Sequence, residues 1–442
     1  MSDSSDAILT VTLSEFDDHG TTRARVGNHW IEVEHGIPGE TVKIELMGKK
    51  RQRGRIVDLV KSANDRVFPP CEYYREWKCG GCQWQHISYR SQLRRKRRGV
   101  EATMKRAGLD LRVTATYSLA EPWRYRTTAG IALGKHAGFR RQGSLAIVPI
   151  EDCLISHRLI GELMAVLNKQ LESGALPDFR GRVRLDVRLA DGPVLQVLVR
   201  PADDHPPASS DLDVLTAALT QIASIASVSI MSPEGELIVL SGDPFGQTTV
   251  SGRTVYLHAG SFFQTNLELL PELIGRLQSE AAPLEGKRIA DVYGGVGIFG
   301  LFLAERAAEV LVVESDQLAE EACRRTAAEW GLDNVHFRAE EAEIALRDES
   351  GFDVVVVDPP RTGLSESVIE SLVEQQPETI LYISCLAQSL ARDLRVLTAE
   401  GYSVEHLEVF DFYPQTYHVE ILTVLRKADD STSSANEESN KG

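Results

Sequence analysis

The alternation of apolar and polar residues in the first part of the chain predicts a small β-barrel. Between residues 7 and 62, runs with a period of two, such as ILTVTLSEF and ETVKIEL, are separated by turn signals at 17–20, 38–39 and 48–50. Apolar residues at every second position place one face of a strand in a core. Runs at this spacing predict a five-stranded, OB-like antiparallel barrel. Such barrels commonly bind single-stranded nucleic acid, although this one could equally be a spacer.

The pattern changes to alternating strands and helices in the last third of the chain. Apolar runs separated by helical stretches are predicted strands, at 287–293, 309–314, 334–338, 352–358 and 379–384. This alternation predicts an α/β fold with a doubly wound, Rossmann-like parallel sheet. Two more strands, at 403–411 and 418–426, are joined by the short segment FYPQTY. Because a parallel crossover needs a dozen or more residues, these last strands are predicted to pair antiparallel.

The size of the chain supports a division into several domains. Its 442 residues, of which 43% are apolar and 25% charged, suit a globular protein with a sizeable core. No apolar run approaches the ~20 residues of a membrane span, and the N-terminus lacks the features of a signal peptide. We therefore expect a cytoplasmic protein with no membrane partner. The predicted division is a barrel at 7–62, a central α+β domain at 63–260, a doubly wound domain at 261–427 and a disordered tail at 428–442.

The charge is distributed unevenly along the chain. The net charge of −16 argues against a nucleic-acid partner when it is taken as a sum. However, residues 43–66 carry eight Lys or Arg against three acids, and residues 90–106 carry eight against one. A single basic run is usually a solvated face. Two such runs in the N-terminal half favour a polyanionic partner.

The cysteines are too few for a disulfide framework, so a metal or catalytic use is favoured. Seven residues separate Cys71 from Cys79, two separate Cys79 from Cys82, and Cys153 follows later. Four thiolates can hold a structural zinc ion or a [4Fe–4S] cluster. Zinc sites usually pair two CxxC motifs, and only one exists here. We favour an iron–sulfur site of mainly structural role, with unlinked thiols as the alternative.

Glycines cluster after the first strand of the predicted parallel sheet, in the run KRIADVYGGVGIFG at 287–300. Small residues in a strand-to-helix turn let a ligand approach backbone amides. The same turn serves dinucleotides, adenosyl cofactors and, in some proteins, only close packing. The glycines alone therefore do not identify a ligand.

Chemically capable side chains follow the strands at their carboxyl ends, where ligands bind in such sheets. Glu314 lies about twenty residues past the glycines, where a carboxylate can accept hydrogen bonds from both ribose hydroxyls. The other such residues are Tyr293, Asp358, Cys385 and Glu420. Each has an ordinary structural explanation, as a turn residue, a buried thiol or a solvent-facing strand residue. Their convergence on one edge of the sheet predicts a functional site.

At these residues the chain resembles the RNA 5-methyluridine methyltransferases, which are S-adenosylmethionine-dependent enzymes acting on ribosomal or transfer RNA. The segments that carry the resemblance are GSFFQTN (260–266), ADVYGGVGIFG (290–300), VVVDPPRTGL (355–364), YISCLAQSLARDL (382–394) and FYPQTYHVE (412–420). Upstream, CEYYREWKCGGCQWQH, WRYRTTAGIAL and IVPIEDC are similar to the branch that carries an iron–sulfur cluster. The N-terminal barrel is similar to a TRAM domain.

The resemblance implies a role for each candidate residue. Cys385 would attack carbon 6 of uracil, and Glu420 would remove the proton from carbon 5 after methylation. The implied contacts to S-adenosylmethionine are Gln264, Tyr293, Glu314 and Asp358. The implied ligands of a [4Fe–4S] cluster are Cys71, Cys79, Cys82 and Cys153. The implied partner is RNA, with 23S ribosomal RNA favoured over transfer RNA and the target uridine flipped out of its stack. No obligate protein partner is evident.

Two departures from the family pattern and two other classes of function bear on this interpretation. Most relatives have cysteine in place of Gly294, which should leave the chemistry unchanged. They usually have Asn-Pro after the nucleophile, where this chain has Leu386 and Ala387, which bears on loop shape or on a contact to the base. A 5-methylcytosine RNA methyltransferase shares the cysteine nucleophile, but its second loop cysteine is not seen here. A non-catalytic RNA-binding or ribosome-assembly factor is the other alternative.

Overall fold

A computed structural model describes residues 8–47, 52–76, 79–232 and 234–428 of the chain. The tail predicted at 428–442 lies outside the described residues, apart from Ala428. In the described part of the chain, none of the helices combines the length and the apolar character needed to cross a membrane.

The predicted N-terminal barrel is confirmed, with one correction to its strand directions. Its strands pair in the closed order β1-β2-β3-β5-β4 around a core that includes Leu13, Ala24 and Val33. The prediction of a wholly antiparallel barrel was wrong, because β3 and β5 pair in parallel. A closed ring of five strands cannot alternate in direction all the way round, so one pair must be parallel. The strands are β1 (Ile8–Phe16), β2 (Thr22–Val26), β3 (His29–Val33), β4 (Thr41–Met47) and β5 (Arg53–Lys61).

The middle of the chain forms a second sheet, in the order β13-β12-β11-β10-β7-β8-β9. Apolar residues at alternate positions, such as Leu185 and Val197, pack one face of this sheet against α3 and α4. The elements from residue 72 onward are α1 (Glu72–Arg75), α2 (Tyr89–Arg106), β6 (Ala115–Tyr117), β7 (Thr128–Leu133), β8 (Ala137–Arg140), β9 (Ile147–Pro149), α3 (Arg158–Glu172), β10 (Val183–Ala190), β11 (Val194–Pro201), α4 (Ser209–Thr220), β12 (Ile225–Met231), β13 (Leu237–Ser241), β14 (Phe245–Val250) and β15 (Arg253–His258).

The C-terminal sheet has the order β18-β17-β16-β19-β20-β22-β21-β6, which confirms the predicted doubly wound α/β architecture. The strands from β16 to β20 are parallel, and β22 is antiparallel to both of its neighbours, as predicted. Its elements are α5 (Leu270–Ala281), β16 (Arg288–Val292), α6 (Ile298–Ala304), β17 (Glu309–Val313), α7 (Gln317–Trp330), β18 (Val335–Arg338), α8 (Ala342–Asp348), β19 (Val354–Val357), α9 (Glu366–Gln375), β20 (Thr379–Ser384), α10 (Ala387–Ala399), β21 (Tyr402–Phe410) and β22 (Glu420–Lys427).

The two faces of this sheet are buried in separate cores, because successive residues of a strand point to opposite sides. Residues such as Ile289 and Val310 face the core formed with α5, α6 and α7. Residues such as Ala290 and Leu311 face the core formed with α8, α9 and α10, to which α2 contributes Met104. The edge strand β6 comes from the segment before residue 260 and pairs in parallel with β21. The C-terminal sheet is therefore completed by residues from outside 261–427.

Candidate active site

The glycine turn after β16 brings backbone amides and a buried carboxyl group together. Gly295 and Gly297 adopt positive φ angles of 55° and 76°, a conformation that favours glycine. A Cβ on Gly297 would lie 2.8 Å from the sulfur of Cys323, so the turn also lacks room for a side chain there. Asp291, buried on β16, accepts a hydrogen bond from the amide of Gly300 at 2.7 Å. The turn is thus held against the strand from which it departs.

Three of the four predicted cofactor residues line one cavity beside this turn. The cavity is bounded by the glycines and by Gln264, Tyr293 and Asp358. The side-chain oxygen of Gln264 is buried and has no hydrogen-bond partner among the described residues. The fourth residue, Glu314, accepts hydrogen bonds from the amides of Gly295 at 3.1 Å and Asp316 at 2.9 Å. The structure therefore brings the whole predicted set around the glycine turn.

The electrostatics of this cavity favour a ligand that carries positive charge. Burial raises the pKa of Asp291 to about 7, and the negative charge of Glu314 adds to the effect. Burial also raises the pKa of Asp358 to about 7, with further contributions from Asp291 and Glu314. A cation placed among these carboxyl groups would stabilise their ionised forms. The sulfonium and ammonium groups of S-adenosylmethionine fit this requirement, and the unpaired oxygen of Gln264 offers the cofactor an acceptor.

Cys385 and Glu420 meet at the end of the sheet next to this cavity. The antiparallel register pairs Ser384 of β20 with Ile421 of β22. Cys385 directly follows Ser384, and Glu420, the first residue of β22, directly precedes Ile421, so both lie at the same end of this strand pair. Cys385 and Glu420 are thirty-five positions apart in the sequence, and the sheet brings them to the same edge.

The thiol and the carboxyl group of this pair both hold their protons more tightly than usual. Burial raises the pKa of Cys385 to about 11, with further contributions from the negative charges of Glu420 and Asp358. Burial also raises the pKa of Glu420 well above its ordinary value, as does the nearby charge of Asp358. Two close carboxyl groups do not easily ionise together, so an ionised Asp358 favours the protonated form of Glu420. A positively charged group is needed if the thiolate is to form.

Arg361 is that positively charged group. It contacts Cys385 and lowers the pKa of the thiol, against the larger effects that raise it. Its guanidinium also hydrogen-bonds the imidazole of His418 at 3.0 Å. Both residues lie in segments that carry the family resemblance, 355–364 and 412–420, but the sequence pattern indicates no role for either. Their only sequence signals are fixed spacings, three residues after Asp358 and two before Glu420.

The loop between β21 and β22, which leads to His418 and Glu420, is held by α2. Lys96 of α2 is fully buried, forms an ion pair with Asp411 at 2.5 Å and donates to the carbonyl of Tyr413 at 2.9 Å. Gln92 and Gln415 exchange two hydrogen bonds, each of 2.9 Å. Although α2 belongs to a basic run, its Lys96 is therefore buried and holds the loop that leads to Glu420.

The four cysteines predicted to bind metal line a single cavity, together with Tyr74, Gln85 and Arg126. Burial raises the pKa of Cys79 to about 12 and that of Cys82 well above its ordinary value, and the other thiols of the set contribute. Four thiols around one cavity are a donor set for a zinc ion or for an iron–sulfur cluster.

Comparison with known proteins shows similarity along nearly the whole chain. The family model described as tRNA (uracil-5-)-methyltransferase matches residues 136–428. An RNA methyltransferase of Clostridium tetani is 32% identical over 429 residues, which are 91% of this chain and 92% of that protein. One from Listeria innocua is 31% identical over 94% of this chain and 97% of that protein.

A solved structure shares the fold. The tRNA (uracil-54, C5)-methyltransferase of Pyrococcus abyssi, in complex with S-adenosyl-L-homocysteine, superimposes with a TM-score of 0.73. The alignment covers 94% of this chain and 99% of that chain at 24% sequence identity. At this identity the comparison establishes the fold of an α/β methyltransferase.

Proposed function

The chain belongs to the tRNA (uracil-5-)-methyltransferase family of S-adenosylmethionine-dependent RNA methyltransferases, and from this premise we propose that Cys385 and Glu420 methylate carbon 5 of a uridine in RNA through a covalent adduct. The observation that carries the proposal is that the ends of β20 and β22 bring the two residues together, close enough for the charge of Glu420 to raise the pKa of the Cys385 thiol further than burial alone. Membership of a family of uracil-modifying enzymes counts against the cytosine-modifying and non-catalytic alternatives.

The first step is the attack of Cys385 on carbon 6 of the uracil ring. Carbon 5 is too weak a nucleophile to accept a methyl group directly, and addition of a thiolate to carbon 6 converts the ring to an enolate. Cys385 must lose its proton to attack, and its raised pKa makes the contact with Arg361 important. The thiol releases its proton to water, and Arg361 stabilises the thiolate by its positive charge.

The second step is the loss of a proton from carbon 5. When bound, S-adenosylmethionine supplies the methyl group from its sulfonium. Glu420 then removes the proton from carbon 5 as a general base, and the electrons of that C–H bond re-form the double bond while the Cys385 thiolate leaves. Burial raises the pKa of Glu420, which makes its carboxylate a stronger base than an exposed glutamate. Gln264, Tyr293, Glu314 and Asp358 are proposed to hold the cofactor during this sequence.

We propose that the four-cysteine cavity holds a [4Fe–4S] cluster of structural role, with Cys71, Cys79, Cys82 and Cys153 as its ligands. Two observations support this: the four thiols line one cavity, and neighbouring thiols add to the effect of burial in raising the pKa of Cys79 and Cys82, as expected of thiols that lie close together. Such a cluster would tie together the N-terminus of α1, the segment that carries Cys79 and Cys82, and the segment between β9 and α3.

For the substrate, 23S ribosomal RNA is the first candidate, because the chain resembles the cluster-carrying branch of the family. Transfer RNA is the second, since the P. abyssi protein of the same fold is named for uracil 54 of tRNA. The N-terminal barrel is proposed to bind RNA around the target, which is flipped into the site. Mapping 5-methyluridine in both RNAs from a deletion strain distinguishes the two.

Incubation of the protein with RNA in which 5-fluorouridine replaces uridine tests the chemistry. Fluorine at carbon 5 cannot leave as a proton does, so the adduct with Cys385 should persist on a denaturing gel after methyl transfer. Cys385→Ala should abolish both the adduct and the methylation of ordinary RNA. The matched control is Cys323→Ala, which removes another buried thiol and should form the adduct. An adduct with Cys385→Ala would refute the assignment.

A further inference from the structure

An arginine-lined groove lies on the central sheet, outside both the four-cysteine cavity and the candidate active site. Its Arg140 accepts a backbone hydrogen bond from Gly80, between Cys79 and Cys82, at 3.1 Å. The groove has a volume of about 310 Å³ and is lined by Arg140 of β8, Arg182 and Arg184 at the start of β10, and Arg200 near the end of β11. We propose that this groove binds the phosphate backbone of the RNA substrate beside the flipped uridine. The proposal rests on the proposed function for the identity of the ligand.

The strand register concentrates positive charge in this groove. Arg184 and Arg200 are directly opposite each other on β10 and β11, an arrangement in which like charges repel. The single carboxylate of Asp186 forms an ion pair with both. The sheet therefore places two guanidinium groups around one counter-charge and leaves an excess of positive charge.

The other two arginines add to this excess. Among the described residues, Arg140 hydrogen-bonds the backbone oxygens of Leu145 and Gly181 and forms no ion pair with a carboxylate. The side chain of Arg182 is half-buried and has no hydrogen bond or ion pair with any residue in the described ranges. Asp203 is the one acid among the lining residues. Four cations thus face two carboxylates, in a protein whose net charge is −16.

A neighbouring glycine provides the space that Arg184 occupies. A Cβ on Gly130 of β7 would lie 2.6 Å from Nε of Arg184, so any larger residue would displace the guanidinium from the sheet. The planar groups of Arg184 and Arg200 are held on one surface, where each can donate two hydrogen bonds to a phosphate. Phosphate contacts of this kind position a nucleic acid without reading its sequence.

The position of the groove suits an RNA strand that reaches the active site. Arg188 lies on the same face of β10 as Arg184, four residues or about 14 Å further along. It hydrogen-bonds the carbonyls of His258 and Ser261, and Ser261 begins the turn that carries Gln264 into the cofactor cavity. In the other direction, a Cβ on Gly143 would lie 3.5 Å from the guanidinium of Arg53 in the barrel. The strand β10 thus runs from the groove towards the segment that carries Gln264, and the hairpin that follows Arg140 reaches the barrel.

The test is the salt dependence of binding to a fluorescein-labelled oligouridylate of about 12 nucleotides, measured by fluorescence anisotropy with the full-length protein and no methyl donor. In Arg182→Gln/Arg184→Gln, the slope of log K against log salt should fall by about 1.4, and affinity at ~0.1 M KCl should weaken on the order of tenfold. Arg182→Lys/Arg184→Lys should retain most of the slope, because the charge remains.

The control is Arg306→Gln, which removes an exposed arginine of the C-terminal domain and should bind as wild type does. Asp203→Asn tests the opposite change in charge. Loss of this acid at the exposed edge of the groove should tighten binding of the oligouridylate and steepen the slope of log K against log salt. If the double glutamine variant fails to fold, Asp203→Asn decides the question. Unchanged affinity and slope in the variants would overturn the proposal.

The result of this binding test does not depend on whether the proposed methylation chemistry is correct. Groove variants that bind normally, in a protein that methylates uridine, would refute the groove alone. Wild-type protein that binds oligouridylate through the groove, but transfers no methyl group to any RNA, would refute the proposed function alone. For an RNA that is methylated, the arginine variants should raise KM and leave kcat unchanged, because they change docking and not the reacting groups.

Discussion

The guanidinium of Arg361 donates a hydrogen bond to Nδ1 of His418 over 3.0 Å. Burial lowers the pKa of His418 to about 4, and the charge of Arg361 adds to the effect. The imidazole is therefore neutral at physiological pH, with Nδ1 free to accept and the proton on Nε2. Since Arg361 also contacts Cys385, a neutral histidine orients the cation that lowers the pKa of the proposed nucleophile.

Arg361→Gln should make Cys385 less reactive by raising the pKa of its thiol. In the wild type this pKa is already raised to about 11, so the thiolate fraction at pH 8 falls about tenfold for each further unit. The rate of alkylation by iodoacetamide, followed as a function of pH by mass spectrometry of the Cys385 peptide, measures the effect. Arg395→Gln, on the exposed side of α10, is the control. The same apparent pKa in all three proteins would contradict the role of Arg361.

His418→Leu should have a smaller effect in the same direction, since Arg361 would remain but lose its acceptor. His418→Asn should recover most of the wild-type alkylation profile, because an amide oxygen can stand in for Nδ1. Equal profiles for the leucine and asparagine variants would show that the imidazole only fills space between Tyr413 and Tyr417.

Glu420→Gln should trap the protein on its RNA. The amide cannot remove the proton from carbon 5, so the Cys385 adduct should accumulate with the methyl group in place. Denaturing electrophoresis with a radiolabelled methyl donor detects this species. Glu405→Gln, the same chemical change on exposed β21, should turn over normally. If Glu420→Gln releases methylated RNA at the wild-type rate, another group is the base.

Asp291→Asn should flatten the pH dependence of stability. The folded pKa of Asp291 is about 7 against 3.8 as its ordinary value, so this residue destabilises the fold increasingly as pH rises between these values. The asparagine keeps an oxygen for the amide of Gly300 and does not ionise. Its Tm should exceed that of the wild type by several degrees near pH 8 and by little near pH 4.5, with a slope of at most about 1.4 kcal/mol per pH unit. Parallel curves would contradict the prediction.

Lys96→Met should destabilise the protein strongly. Both members of the Lys96–Asp411 pair are fully buried, and removal of one partner leaves a charge without compensation, at a cost of ~3–5 kcal/mol. Urea unfolding measures the loss. Lys105→Met, on the exposed side of the same helix, should change stability by less than about 0.5 kcal/mol. The double variant Lys96→Met/Asp411→Leu should recover much of the loss, and its failure to do so would mean that packing around Lys96 is the larger effect.

Protein purified without oxygen should contain iron and sulfide and should absorb broadly in the visible range. Cys82→Ser should lose the iron, because Cys82 is the most deeply buried thiol of the set, whereas Cys323→Ser should retain it. Zinc without iron in the wild type would overturn the cluster assignment.

The sequence predicts the C-terminal sheet closely. Its strands are continuous apolar runs, and the helices between them have a different, helical spacing of apolar residues. The predicted strand at 379–384 coincides with β20, and that at 287–293 contains β16. The carboxyl ends of parallel strands lie at one edge of the sheet, so reactive side chains at those ends are expected to lie close together. For this reason the convergence of Cys385 and Glu420 could be predicted from the sequence.

Contacts that depend on tertiary structure could not be predicted in this way. The strand β6 has three residues and no periodicity, so its place beside β21 appears only in the fold. The burial of Lys96 is hidden in a run that looks like a solvated surface. The pairing of Arg184 with Arg200 joins residues sixteen positions apart on two strands, and only the strand register brings them together.

The place of β6 decides where the chain can be cut. Its Tyr117 ring stacks on Phe410 at 4.4 Å, and its backbone pairs with that of β21. A truncated protein starting at residue 261 would expose β21 as an edge strand, with unpaired backbone amides and carbonyls and with the ring of Phe410 uncovered. Such fragments would adhere to one another, so expression of the catalytic part alone should yield aggregates unless residues 115–117 are supplied with it.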